Sequence, residues 1–152
     1  MDYSHSDAEL IHQPAGYWTW AAYKAVVTRT RAALAGIGTT QPQWWTLNQV
    51  ARADTPKTRA EVSRILRGYL DTGADTMEAE IDATVTAGWI TEHPDGRLTL
   101  TAEGRAFYEK AAALQTDLWT ERHAGISDEE YLTTMKVLQR LIHNTGGRAW
   151  HH

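Results

Sequence analysis

The chain has 152 residues, 42% of them hydrophobic, which suits a single domain that buries a sizeable core. It contains no cysteine, so disulfides, thiol catalysis and thiolate metal sites are excluded, and this absence fits a reducing cytoplasm. The net charge of -4 argues against a surface that holds polyanions without specificity. The first residues lack a secretion signal, and no stretch is apolar for the ~20 residues that a membrane span needs. We therefore expect a cytoplasmic protein with no membrane partner.

The N-terminal part of the chain is predicted to be helical after a polar lead-in. Residues 1–14 are interpreted as a flexible arm or a short lead-in that ends at a proline. A first helix is predicted from about Ala15 to Ala35, because its apolar residues keep helical spacing. Thr40 and Gln43 form a capping-box pattern, which predicts the start of a second helix. The apolar positions of these two helices include Trp20, Tyr23, Val27, Leu34, Trp44, Leu47 and Val50.

A third and a fourth helix are predicted to form a helix-turn-helix unit. Thr58 is the expected N-cap of the third helix, with Glu61 as its capping partner. The turn is placed at Asp71-Thr72-Gly73, and the fourth helix runs from about Asp75 to Ala87. Its predicted buried stripe consists of Met77, Ile81 and Val85.

Residues 88–101 carry the pattern of a β-hairpin. Gly88 ends the preceding helix, Trp89 and Ile90 begin a strand, and Pro94-Asp95-Gly96 supplies the turn. Leu98 and Leu100 then alternate with polar residues on the returning strand. A short ribbon that follows a helix-turn-helix is typical of a winged helix, in which the wing contacts the DNA backbone and the helix before it enters the major groove.

Two long helices are predicted after the hairpin, from Ala102 to about Glu121 and from the cap at Ser127 to about Asn144. Their apolar seams are more regular than a small core requires, so we expect them to pair with a second copy of the chain. The alternative is that they fold back on their own domain. The apolar positions are Phe107, Ala111, Leu114, Leu118, Tyr131, Met135, Leu138 and Ile142.

The predicted fold class is mainly α (α+β), a winged helix-turn-helix with long N- and C-terminal dimerisation helices. Residues 39–101 form the predicted DNA-binding region, and residues 15–38 with 102–146 form the dimerisation region. This order of elements resembles the MarR family of bacterial regulators over roughly residues 14–145. The local matches are Gly88-Trp89-Ile90, the wing sequence Asp95-Gly96-Arg97 and the following Leu100-Thr101-Ala102-Glu103-Gly104.

The resemblance implies a cytoplasmic homodimer that binds a pseudo-palindromic operator in double-stranded DNA, usually as a transcriptional repressor. Arg97 would be the wing arginine in the minor groove and Asp95 the residue that orients it. Helix residues Thr76, Glu78 and Ala79 would face base edges, and Thr58, Arg59 and Arg64 would lie near phosphates.

The resemblance also implies release of the DNA by a small aromatic or phenolic effector. Family members bind such ligands in a crevice between the two regions, where this chain has Trp18, Trp20, Tyr23, Trp44 and Trp45. The polar edge of a flat ligand would be met by His12, Tyr17 or Asn48. The alternative is that these rings are core packing, and adjacent Trp44 and Trp45 cannot both face one side of a helix.

The fourth predicted helix, which would be the recognition helix that enters the major groove, departs from the resemblance in its charge. There is no lysine or arginine from Gly68 to Gly96, whereas Asp71, Asp75, Glu78, Glu80 and Asp82 crowd the turn and the helix. Such carboxylates stabilise a helix N-terminus or accept from cytosine, but each one near a phosphate costs affinity. A second hypothesis is therefore a winged-helix protein that has lost DNA binding and binds, or acts on, a small aromatic molecule or a partner protein.

No catalytic motif can be placed by spacing, so no enzymatic activity is predicted, and no cofactor is implied. The histidines form no helical i, i+4 pair with a carboxylate, so a metal site is unsupported. The terminal pair His151-His152 says little on its own.

Overall fold

The structure, a computed structural model, describes residues 2–66, 69 and 74–149, and of residues 74–76 it describes the backbone alone. The predicted turn at Asp71-Thr72-Gly73 and the pair His151-His152 lie outside the described residues. The elements in chain order are α1 (Asp7–Leu10), α2 (Ala15–Gly36), α3 (Gln41–Ala51), α4 (Arg59–Leu66), α5 (Ala74–Thr86), β1 (Ile90–Glu92), β2 (Leu98–Leu100), α6 (Ala102–Arg122) and α7 (Asp128–Asn144). The predicted mainly α winged helix-turn-helix is confirmed.

The helices begin where the sequence supplies caps. At α3, the Thr40 hydroxyl accepts from the Gln43 amide at 3.2 Å, and the Gln43 side chain accepts from the Thr40 amide. The predicted capping box at Ser127 has the same reciprocal pair of bonds. Because each cap satisfies amides that have no partner within the helix, local sequence alone fixes these boundaries.

The N-terminal arm contains a short helix that its polar sequence does not predict. Its residues include the short helix α1, which opens with Ser6 donating from both its amide and its hydroxyl to the Glu9 carboxylate. No residue of α1 is buried, so this turn depends on its own cap rather than on tertiary packing.

The hairpin pairs antiparallel, with Ile90 opposite Leu100 and Glu92 opposite Leu98. Gly96 has a φ of 77°, a conformation that glycine adopts without strain at the end of the turn. A third segment, which the sequence does not predict, extends the ribbon: Thr58 bridges to Arg97, and the Leu98 amide donates to the Lys57 carbonyl at 2.9 Å. The wing is thereby joined to the start of α4.

The main core lies between the helix-turn-helix and the wing. Val85, the third residue of the predicted α5 stripe, packs at the edge of this core, whereas the other two are fully buried. Apolar faces of α3, α4, α5 and both strands meet here, and their burial is the chief stabilising contribution of this part of the molecule. The buried residues are Leu47, Val50, Val62, Leu66, Met77, Ile81, Ile90 and Leu98.

The long helices α2, α6 and α7 have fewer buried apolar residues than the helices and strands of the main core. Thr30 and Leu34 are the buried residues of α2, and Gly104, Ala111 and Leu118 those of α6, whereas α7 has no buried residue. Large apolar side chains therefore lie exposed on these helices: Tyr17, Trp18, Trp20, Tyr23, Val26, Trp119, Leu132, Val137 and Leu141. No helix in the described part of the chain has the length and apolar character needed to cross a bilayer.

Candidate nucleic-acid interface and aromatic cluster

The wing turn presents an arginine that is held by its neighbours. The Arg97 amide donates to the Asp95 carboxylate at 3.1 Å, and the Arg97 Nε lies 3.4 Å from the same carboxylate. Its guanidinium also donates to the Pro56 carbonyl at 2.5 Å. Since the Arg97 side chain is still 48% exposed, the turn orients a cation toward solvent. The structure thus brings together the predicted pair Asp95 and Arg97.

The start of α4 lies directly beside this turn. The Glu61 carboxylate accepts from the Thr58 amide at 2.7 Å and from its hydroxyl at 3.0 Å. These bonds lower the pKa of Glu61, and the nearby charges of Arg97 and Arg64 lower it further. Arg64 is exposed, whereas Thr58 is half-buried and committed to its cap. The exposed cations Arg64 and Arg97 therefore flank one α4 surface.

Arg59 has a different environment from the other predicted phosphate contacts. Its guanidinium lies 2.6 Å from Glu92 of β1 and 2.7 Å from Asp82 of α5, with Glu78 at 3.4 Å. Hydrogen bonding to Glu92 raises the pKa of Arg59 and lowers that of Glu92. The side chain is 24% exposed. One cation thus joins α4, α5 and the wing.

The remaining predicted base-facing residues lie on α5. Ala79 is exposed, and Glu78 is half-buried beside Arg59. The side chain of Thr76 lies outside the described residues. Glu80 accepts a hydrogen bond from the Thr40 hydroxyl at 3.0 Å, which ties α5 to the start of α3. The carboxylates of Glu78, Glu80 and Asp82 therefore all have partners within the chain.

The predicted ligand residues separate into two groups. On α2, the Tyr17 ring lies 5.4 Å from Trp18 and 6.2 Å from Trp20, and Tyr23 is exposed on the same helix. Trp44, Trp45 and Asn48 form the second group, on α3. No ring contact joins the two groups among the residues that the structure describes, and His12 is exposed near the start of α2.

Trp44 and Trp45 face different sides of α3, as their adjacency requires. Trp45 packs against the main core, with its ring 5.4 Å from that of Tyr69. Trp44 stacks on Tyr108 of α6 at 5.6 Å, and the Tyr108 hydroxyl donates to the Asn48 side chain at 3.4 Å. Sequence reasoning missed Tyr108, because its signal is only its position next to Phe107 on the predicted α6 seam.

A tight corner joins the wing to α6. The Trp89 ring stacks on Phe107 with centroids 4.0 Å apart, and the Thr101 hydroxyl donates to the Gly88 carbonyl at 2.7 Å. A Cβ on Gly104 would overlap the Trp89 carbonyl oxygen. Gly104 is therefore required for this close approach of helix and strand.

Comparison with solved structures finds the same architecture. The MarR family protein Rv2887 of Mycobacterium tuberculosis, in complex with DNA, matches with a TM-score of 0.66 and 22% identity over 85% of this chain and 98% of that one. The reduced form of MarR from E. coli matches with a TM-score of 0.66 and 21% identity, over 90% and 99% of the two chains. The chain has the MarR-family fold.

A further match to this fold contains a ligand. Rv2887 in complex with p-aminosalicylic acid has a TM-score of 0.62 and 22% identity, over 85% of this chain and 98% of that one. No protein-family model and no curated protein matches the sequence.

Proposed function

We propose that the chain is a dimeric transcriptional regulator that binds a pseudo-palindromic operator through α5 and the wing, acts as a repressor in the cytoplasm, and is released by a small aromatic ligand. The observation that carries the proposal is the half-exposed Arg97, oriented by Asp95 at the tip of a wing that follows a recognition helix. A wing cation of this kind neutralises phosphate or enters the minor groove. The MarR fold supports this use, since Rv2887 has been solved with DNA.

Dimer formation is supported by the exposed apolar side chains of α2 and α7. In a monomer these residues would form a large apolar surface in water, whereas a second copy would bury them. A twofold axis would also present two α5 helices and two wings to one duplex, with half-sites about one helical turn apart.

Effector binding is supported by the Trp44, Tyr108 and Asn48 group between α3 and α6. A flat ring could stack against these aromatic faces while Asn48 or Tyr108 meets a polar substituent. Because α3 belongs to the helix-turn-helix and α6 to the long helices, a ligand there would favour one relative geometry of the two regions. We propose a salicylate-like aromatic acid, the ligand class found with Rv2887.

DNA binding is tested by selecting duplexes from a random pool with the purified protein and measuring the recovered sequence by fluorescence anisotropy. The expected result is an inverted repeat bound with an affinity that falls steeply with salt. Recovery of no enriched sequence, at any salt concentration that keeps the protein folded, would refute the proposal.

Ligand binding is tested by adding salicylate and following tryptophan fluorescence. Quenching is expected in the wild type, and Trp44→Leu should weaken ligand binding about tenfold or more because the stacking surface is lost. Trp119→Phe, in the distal half of α6, is the matched control and should keep the wild-type affinity. Equal ligand affinity of wild type and Trp44→Leu would contradict this site.

The second hypothesis, a winged-helix protein without DNA binding, is favoured by one observation: three carboxylates surround the single charge of Arg59 on the face that should meet the duplex. Salicylate binding without any selected duplex would support that alternative.

A further inference from the structure

Arg59 lies where three elements of the proposed DNA-binding unit meet. It is the first residue of α4, and its own amide donates to the Gly96 carbonyl in the wing turn at 3.2 Å. Its side chain reaches Glu92 on β1 and both Asp82 and Glu78 on α5. One residue therefore contacts the wing through its backbone and through its side chain, and contacts the recognition helix as well.

The guanidinium has little capacity left for a phosphate. Nε lies 3.1 and 3.2 Å from the two Glu92 oxygens, and Nη2 lies 2.6 Å from one of them. Nη1 donates toward Asp82 at 2.7 Å and Glu78 at 3.4 Å. Since a guanidinium has five N–H donors, four of them already face carboxylates. A phosphate oxygen would have to displace at least one of these partners to bind strongly.

The local charge also disfavours direct phosphate binding. Three carboxylates around one cation give this cluster an excess of negative charge, which repels a polyanion. The planar guanidinium of Arg59 instead donates in fixed directions, and these bonds hold α4, α5 and β1 at one relative orientation. The half-buried position of Arg59 strengthens these bonds because less water competes for them.

We propose that Arg59 is a positioning residue, which fixes the angle between the wing and the recognition helix and does not itself contact DNA. The inference deepens the proposed function and rests on it, because it assigns how the two DNA-contacting parts are held in register. Glu92 and Asp82 are the partners through which Arg59 acts, so these acidic residues support DNA binding despite their charge.

The first test uses DNA affinity and its salt dependence. Arg59→Gln should weaken binding to the selected duplex about tenfold, yet keep the wild-type slope of log affinity against log salt, because no phosphate contact is lost. A variant slope smaller by about 0.9, the amount for one phosphate contact, would overturn the proposal.

The second test uses a substitution for which simple electrostatics and the proposal predict opposite changes in DNA affinity. Glu92→Gln removes a negative charge near the duplex, so simple electrostatics predicts tighter binding. The proposal predicts weaker binding, because Arg59 loses its main partner on the wing. Glu109→Gln, an exposed glutamate on α6, is the matched charge control and should bind like the wild type. Tighter binding by Glu92→Gln would overturn the proposal.

A third measurement needs no DNA. Amide hydrogen exchange at His93 and Leu98, whose amides donate within the wing region, should be faster in Arg59→Gln, while the urea midpoint changes little. Arg59→Lys keeps the charge and one carboxylate contact, so it should restore part of the protection. Unchanged exchange in Arg59→Gln refutes the positioning role. If the wild type bound no duplex, the proposed function would fail, whereas this exchange result would still decide what Arg59 does.

Discussion

At the residue scale, Gly104 is the described glycine at which an added side chain would meet the shortest contact. Any side chain there would overlap the Trp89 carbonyl, and the obstacle is backbone rather than a side chain that can rotate away. The glycine occurs in the Leu-Thr-x-x-Gly sequence on which the resemblance rests. The structure therefore supplies a packing reason for that residue, independent of any role in DNA binding.

We expect Gly104→Ala to destabilise the protein by about 2 kcal/mol or more, since overpacking forces a backbone shift between the strand and α6. The measurement is the urea midpoint followed by circular dichroism. Gly36→Ala is the control, because a Cβ at Gly36 meets no atom within 4 Å and its conformation is helical. Equal midpoints for the two variants would contradict the close approach.

Arg97 is the residue on which the proposed DNA interface depends most. Arg97→Ala should weaken operator binding and reduce the salt slope by about 0.9, the loss of one phosphate contact. Fluorescence anisotropy at several salt concentrations gives both quantities. Arg148→Ala, an exposed arginine beyond α7, provides the matched control. A wild-type slope in Arg97→Ala would remove the wing from the interface.

At the element scale, helix starts were the most predictable part of the fold. Thr40, Thr58 and Ser127 each have a partner three residues later, and the cap forms from neighbours in sequence without help from the core. Ser6 and Glu9 form the same kind of cap at the start of α1, although the segment is too short and polar to show a helical apolar pattern. The bridge between Thr58 and Arg97 could not be predicted, because the two residues are far apart in sequence.

The site was less predictable than the fold, for a related reason. Local patterns indicated Asp95 with Arg97 and the aromatic positions of α2 and α3, but they did not indicate partners across elements. Arg59 was expected near phosphates, and nothing local shows that Glu92 reaches it from the wing. Likewise, Trp44 meets Tyr108 only because α3 packs on α6.

Carboxylates that form helix caps or ion pairs give the stability of the protein a dependence on pH. Hydrogen bonds from the Ser127 amide and hydroxyl lower the pKa of Glu130, and pairing with Arg29 lowers the pKa of Glu121. A carboxylate with a depressed pKa in the folded state binds protons less readily than in the unfolded chain. Its contribution to stability is therefore present above the unfolded pKa and is lost as the pH falls through the folded one.

We expect the urea midpoint to fall as the pH is lowered from roughly 4.5 toward 3, the range in which unfolded glutamates gain protons. Glu130→Gln should make this decline shallower, since one of the responsible carboxylates is gone. Glu109→Gln should leave the decline as in the wild type. A decline equally steep in the wild type and Glu130→Gln would show that the cap does not contribute.

At the scale of the whole molecule, the described chain leaves apolar side chains exposed that the proposed dimer would cover. Its helix-turn-helix and wing share a closed core, whereas α7 has no fully buried residue and α2 exposes a row of aromatic rings. On α6 and α7 the exposed apolar residues lie outside the predicted seams, whose own residues are buried or half-buried in the protomer. These exposed residues are Trp119, Leu132, Val137 and Leu141. Which surfaces of the two copies would meet cannot be obtained from periodicity, because any apolar stripe satisfies the same pattern.

We expect light scattering to give twice the 17.1 kDa mass of one chain. The double variant Leu132→Asp/Leu141→Asp should be monomeric with unchanged helical content, because both side chains are exposed in the protomer and would be buried in a dimer. Gln139→Asp, on the same helix, is the control and should stay dimeric. A monomeric wild type would contradict the proposed assembly.

The corner at Gly104 has a mechanical consequence. The backbone of α6 at Gly104 lies against the carbonyl of Trp89, and the rings of Trp89 and Phe107 stack beside this contact. No flexible linker therefore separates α6 from the hairpin. We expect any rotation of α6 to move the hairpin with it, so that a small tilt of the helix gives a larger displacement at the tip of the hairpin. Gly104, which has no side chain, allows the close contact through which this movement would pass.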